Sequence, residues 1–192
     1  MNIKLNHIAL ILCLCFFGCK KTENYSEVRK TLEKVLVEDQ MYRNPVFNSE
    51  KQTPIDRKNM QIVTKIIDSL GWLGEDKIGK DANLAFFAVI QHAPELSTME
   101  KYLAVMKDAV KKGNAEKSRL AYLIDRVEIL NNRNQIYGTQ YSIRENGEIY
   151  IGNLIDSSNV DSRRKSMNLE PIKDYLKGLD SLDYVNDRKK NR

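Results

Sequence analysis

Apolar residues recur along this chain at two periods, and the change from one to the other sets its organisation. From Ser26 to Arg43 the residues Val28, Leu32, Val35 and Leu36 fall on one face of an amphipathic helix. After a loop over 44–52, Thr53-Pro54 reads as the N-cap and first-turn proline of a second helix. That helix places Ile55, Met60, Val63, Ile66, Ile67 and Leu70 inward and stops at Gly71. Trp72 lies in a glycine-punctuated turn to Gly79, where its ring is expected to close one edge of the core. Asp81 can cap a third helix whose body, Ala82 to Ile90, is apolar apart from Asn83. A helix without a polar face is a central one. Ser97 and Glu100 form a capping-box pattern for a helix to Lys112, which Gly113 ends. Asn114 can cap the next helix, with Leu120, Leu123, Ile124, Val127 and Leu130 at helical spacing.

Beyond Gln140 the period falls to two. Tyr141, Ile143, Ile149 and Ile151 alternate with polar positions around Asn146-Gly147, which predicts a hairpin closed by a type I′ turn with both residues at positive φ. A short basic helix over Asp156 to Met167 follows, and Pro171 opens a final helix with Ile172, Tyr175, Leu176 and Leu179. The expected fold is mostly α with one β-hairpin (α+β), a single compact domain of about five to seven helices over residues 26–185. With 192 residues, 42% hydrophobic and 30% charged, the chain is long enough for one proper core.

The first residues follow neither period. Lys4 precedes the apolar run Ile8 to Phe17, which is of signal-peptide length and short for a membrane-spanning helix. It ends in Gly18-Cys19 followed by Lys20-Lys21, which resembles the lipobox of bacterial lipoproteins, although Phe16 and Phe17 depart from its commonest form. The alternatives are an ordinary signal peptide cleaved nearby and a buried apolar helix. The resemblance implies a signal peptide over 1–18, lipid on Cys19, a tether over 19–25 and a bacterial-envelope location on a membrane. Residues 186–192 form a basic tail without an apolar residue. Loss of the signal removes Cys13 and Cys15, and lipid occupies Cys19. The mature domain then has no free thiol, which excludes a disulfide, a cysteine nucleophile and a thiolate zinc site. It also removes only Lys4 from a formal charge of +5, and the remaining +4 together with export disfavours nucleic acid as a partner.

Several polar residues stand where helices have little use for them. His92 follows Gln91 at the end of the apolar helix and is the one histidine of the mature chain. It can act as a general base, with Asp125 or Asp39 orienting its other nitrogen. Equally, it can cap the last carbonyls of its helix. Asp125 and Arg126 sit among the apolar positions of their helix, where either can join an ion network with Arg43 or Asp39. Asp39 and Arg43 are also spaced as a surface i,i+4 pair, beside Gln40. Gln135, Tyr137, Thr139 and Gln140 can orient a polar ligand or satisfy backbone groups where helix gives way to hairpin. Arg163 and Arg164 can grip a carboxylate or phosphate, or simply be solvated. No spacing motif supports a metal at His92, Asp39 and Asp125, and no motif implies a cofactor.

The blocks Asp39-Gln40 with Arg43, Gln91-His92-Ala93, Ala121-Tyr122-Leu123 with Asp125-Arg126-Val127, Gln135 with Tyr137-Gly138-Thr139-Gln140, and Asp161 with Arg163-Arg164 and Leu169 resemble, in that order, an uncharacterised bacterial family. It is number 6624 in the domain-of-unknown-function series. The resemblance spans about Val28 to Tyr175 and implies a shared fold and polar site, with no settled activity. Two functions are compatible with these residues. One is a membrane-anchored ligand-binding or interaction module for a small polar ligand or an envelope protein. The other is a small hydrolase-like enzyme using His92. Both predict one polar pocket gathering Gln91, His92, Asp125, Arg126, Gln135, Tyr137 and Gln140, with Asp39 or Arg43 closing it.

Overall fold

The computed structural model describes residues 24–43 and 46–179. The proposed lipid site at Cys19 and the basic tail lie outside the described residues. The helices are α1 (Ser26–Gln40), α2 (Ser49–Leu70), α3 (Glu75–Ile78), α4 (Lys80–Gln91), α5 (Leu96–Lys111) and α6 (Lys117–Leu130). They are followed by strands β1 (Ser142–Ile143) and β2 (Ile149–Tyr150), a single 3₁₀ turn (Ser157–Asn159), α7 (Val160–Ser166) and a helix α8 over 172–179. The class is α+β, mostly helical with one antiparallel hairpin. One turn of helix, α3, lies where the sequence reads as glycine-rich connection. Gly74 and Gly79 bound it, too close together for a longer helix.

α4 occupies the centre, as its lack of a polar face requires. Ala82, Ala85, Phe86, Ala88, Val89 and Ile90 are buried on it, and it packs against α1, α2, α3, α5 and α6. Trp72 closes the core beside Phe86, their ring centroids 5.3 Å apart. Asn83, the polar exception on α4, is buried and donates through Nδ2 to the carbonyls of Leu73 and Asn114, both at 2.8 Å. A buried amide so placed ties the α2–α3 connection to the α5–α6 connection.

Several local expectations need correction, beginning with α4, whose N-cap is Gly79 while Asp81 lies in its first turn. α2 begins a turn earlier than Thr53, because Asn48 caps it by accepting from the Lys51 N–H at 3.1 Å. Pro54 therefore sits inside the helix, and the carbonyl its ring leaves unbonded belongs to exposed Glu50. α5 begins before Ser97, so the Ser97–Glu100 capping box does not form, and Glu100 accepts from Asn131 Nδ2 at 2.9 Å. Asn114 does not cap α6; its Nδ2 donates to the Trp72 carbonyl at 3.0 Å, and Glu116 takes the cap position.

The hairpin pairs Ser142 with Tyr150 and Ile143 with Ile149, but its turn is not type I′. Gly147 alone has positive φ, at 84°, and its N–H donates to the Arg144 carbonyl at 2.9 Å. Glu145 and Asn146 are thus the centre of a three-residue loop, with Gly147 in the left-handed position of a bulge. Asn146 instead accepts from the Glu148 N–H at 3.0 Å, a side-chain turn that asparagine makes without leaving negative φ.

Candidate functional site

α1 and α4 together build the first half of the site. The helical spacing that buries Leu32 and Val35 also buries Asp39, one turn further along, with no measurable exposure. A carboxylate at a helix C-terminus gains nothing from the helix dipole and must be compensated by side chains. His92, at the C-cap of α4, supplies that compensation. Its Nδ1 lies 3.1 Å and 3.0 Å from the two Asp39 oxygens. The ring therefore bonds a carboxylate and not the last carbonyls of its own helix. Gln40 Nε2 donates to Asp39 Oδ2 at 2.6 Å. Burial pushes the Asp39 carboxyl up, but the hydrogen bond and charge of His92, with help from Arg43, outweigh it and hold the group below the usual carboxylate range.

Arg43 is not the surface partner of Asp39 that i,i+4 spacing suggests. Its Nε donates to the Asp39 carbonyl at 2.7 Å, while its Nη2 reaches Asp56 at 2.8 Å and Asp39 at a looser 3.4 Å. Gln52 completes this buried corner by donating to Asp56 at 2.8 Å and accepting from the Tyr42 N–H at 2.9 Å. Gln52 and Asp56 were not expected in the site. In the sequence Gln52 reads as the end of a loop, and Asp56 carries no signal beyond its i,i+4 spacing from Gln52.

α6 supplies the other half, and its two adjacent charges part company. Asp125 is fully buried and faces the chain after its own helix. Oδ1 accepts from the N–H groups of Ile136 (2.7 Å) and Tyr137 (3.0 Å), and Oδ2 from the N–H and hydroxyl of Thr139 (both 2.9 Å). Four donors occupy it, so Asp125 orients the 135–140 loop and Asp39 orients His92. Gln135 is spent in the same way. It donates to the carbonyls of Gln140 (2.9 Å) and Gly152 (2.8 Å) and accepts from the Gln140 N–H. Arg164, 1% exposed, donates to the carbonyls of Glu170, Tyr137 and Gly138 and lies over the Tyr175 ring, whose hydroxyl bonds the Thr139 carbonyl. Arg163 bonds the carbonyls of Ile136 and Asp156. Burial and then the Asp125 charge raise the Tyr137 phenol above its ordinary value. Gly138, at φ 67°, passes so close to Ile172 that a Cβ there would lie 3.0 Å from its Cδ1.

Arg126 points the other way and lies at the wall of two cavities. One, of about 280 Å³, is lined by Arg43, Phe47, Thr53, Asp56, His92 and Arg126 with Met99 and Leu130. The other, of about 390 Å³, is lined by Arg126, Gln135, Gln140, Tyr141, Tyr150 and Gly152 with Leu130. The expected single pocket is thus two cavities meeting at Arg126 and Leu130. The Arg126 Nη1 contact with Gln140 Oε1 is long, at 3.4 Å, and its buried Nε has no hydrogen-bond partner among the described residues. Burial, and then the like charge of Arg43, lower the pKa of its guanidinium. The buried carbonyl oxygen of the Gln91 side chain is likewise without a partner among the described residues.

Asp39, His92 and Asp125 do not form a metal-ligand set, since Asp125 turns to its loop. No group of three His, Cys, Asp or Glu side chains suited to a metal occurs among the described residues. No described helix is long and apolar enough to cross a membrane.

A protein-family model covers residues 22–186, which includes every element described above. The chain belongs to DUF6624, a family of unknown function. The blocks that carry the resemblance are, in this member of DUF6624, the ones that hold Asp39 against His92 and Asp125 against the 135–140 loop. No curated protein and no solved structure matches the chain.

Proposed function

We propose that this protein is a lipid-anchored bacterial envelope protein whose His92 cavity binds a small polar ligand. The observation that supports the reading is Arg126. A cation that borders a cavity while its buried Nε goes unpartnered is costly to keep unless something else meets it. The carboxylates beside it, Asp39 and Asp56, are already hydrogen-bonded by the chain, which leaves Arg126 and His92 at the cavity to meet a ligand. The signal-length apolar run ending at Gly18-Cys19 supports the anchor. Thermal-shift titration of the full-length protein in detergent against sugars, peptides, metabolites and metals tests the reading. A saturable rise in Tm that Arg126→Gln abolishes is expected, and no rise with any class overturns it.

A second reading is supported by the Asp39 contact. A carboxylate on Nδ1 fixes the imidazole tautomer and leaves Nε2 as the proton-accepting nitrogen of a general base. Thr53 is the one hydroxyl residue among those lining the cavity, so this hydrolase-like reading uses His92 to activate water. Recovery of the bound ligand after prolonged incubation separates the two readings. A binding module returns it unchanged, and an enzyme returns product.

A further inference from the structure

We propose that the group entering the His92 cavity is a carboxylate, received by Arg126 beside His92 with its apolar body against Phe47, Pro94, Met99 and Leu130. The inference rests on the cavity being a ligand site and specifies the ligand's chemistry.

The charged and titratable groups at the cavity decide the class. Arg43 from the turn after α1, Asp56 of α2, His92 at the C-cap of α4 and Arg126 of α6 line it, and Asp39 of α1 lies behind them against Arg43 and His92. Asp39 and Asp56 share Arg43, and His92 completes the set at Asp39. Both carboxylates are thus met within the chain without Arg126. No carboxylate lies within ion-pairing distance of Arg126 among the described residues, whereas Arg43 is close enough to repel it. A guanidinium at a cavity wall with no carboxylate partner among the described residues is best met by a negative charge. A neutral ligand would leave Arg126 uncompensated, and a phosphate dianion would set its second charge against Asp39 and Asp56. A planar carboxylate also suits a guanidinium, which offers paired N–H donors in one plane. His92, whose Nδ1 is held by Asp39, borders the same space.

The rest of the wall fits the rest of such a molecule. Phe47 and Leu130 are half exposed at 53% and 46%, while Met99 is buried at the cavity wall. A volume of about 280 Å³ takes a carboxylate with a short apolar body.

The test is carried out on the isotope-labelled full-length protein in maltoside micelles, following the side-chain Nε–H resonance of Arg126, which Arg126→Gln identifies by its loss. The probes are sodium butyrate, butyramide, butylammonium chloride and sodium phosphate at matched ionic strength. Butyrate is expected to shift the resonance saturably, with an affinity roughly tenfold or more above that of butyramide. The perturbations that butyrate causes at His92 and Met99 are expected to vanish in Arg126→Gln, whose circular dichroism is unchanged. Stronger binding of phosphate, butyramide or butylammonium at these residues overturns the carboxylate while leaving a ligand site intact. If no probe perturbs Arg126, His92 or Met99, the carboxylate and the ligand-site reading both fall.

Discussion

Asp39 and His92, 53 positions apart in the chain, meet at 3.0 Å through the imidazole Nδ1 and a carboxylate oxygen that no solvent reaches. The contact exists because α1 packs along α4 and the last turns of the two helices coincide. It gives the protein a defined response to acid and to substitution.

Burial raises the Asp39 pKa, but the His92 and Arg43 interactions outweigh it and the net shift is downward. A folded value below the unfolded one means that the unfolded chain binds more protons near its own titration. The contribution to stability is therefore fully present above the unfolded value, about 3.9, and is lost as pH falls through the folded value. Urea unfolding between neutral pH and pH ~2 should show a loss of stability that is smaller in Asp39→Asn. At neutral pH, His92→Ala should cost about 1–3 kcal/mol, because it removes a partner from a buried carboxylate. An unchanged urea midpoint in His92→Ala would mean that the contact contributes nothing to folding.

Asp125 should prove a structural residue of the loop. Asp125→Ala leaves the buried Thr139 N–H and hydroxyl and the half-buried N–H groups of Ile136 and Tyr137 without their acceptor. The expected loss is about 3–5 kcal/mol, large for one substitution. Hydrogen exchange is the direct measurement. The amides of Ile136, Tyr137 and Thr139 should lose protection in the variant ahead of those in α4.

The hairpin turn makes a prediction that separates its two central candidates. Gly147→Ala places a Cβ at positive φ and should cost about 1 kcal/mol. Asn146→Ala loses only an exposed side-chain bond to the Glu148 N–H and should cost about 0.5 kcal/mol or less. Comparable large losses at both positions, measured by chemical denaturation, would return the turn to type I′.

Cys19 should be the mature N-terminus and carry lipid. Intact-mass analysis of the membrane fraction should find a chain beginning at Cys19 with acyl mass added, and Cys19→Ser should release or mislocalise the protein. A soluble, unlipidated chain lacking residues 1–18 would refute the anchor.

The sequence by itself determined the helical class, the hairpin, the centrality of Ala82 to Ile90 and the family blocks. Each of these is written in short-range periodicity or in residue type at fixed spacing, and helix and strand periods are local properties. It also singled out Asp125 and Arg126, as charges among the apolar positions of a helix, His92, as the one histidine after residue 7, and Asp39, as an i,i+4 partner of Arg43. What met each of them was decided only by the tertiary structure. By spacing alone either Asp125 or Asp39 can orient His92, but α1 packs on α4 so that Asp39 reaches the imidazole, while the chain after α6 folds back over Asp125. Gln52 and Asp56 became buried only because the turn before α2 brings them against Arg43. A side chain's partner depends on which helix faces meet, and that is settled by the packing of the whole core, which local spacing does not encode.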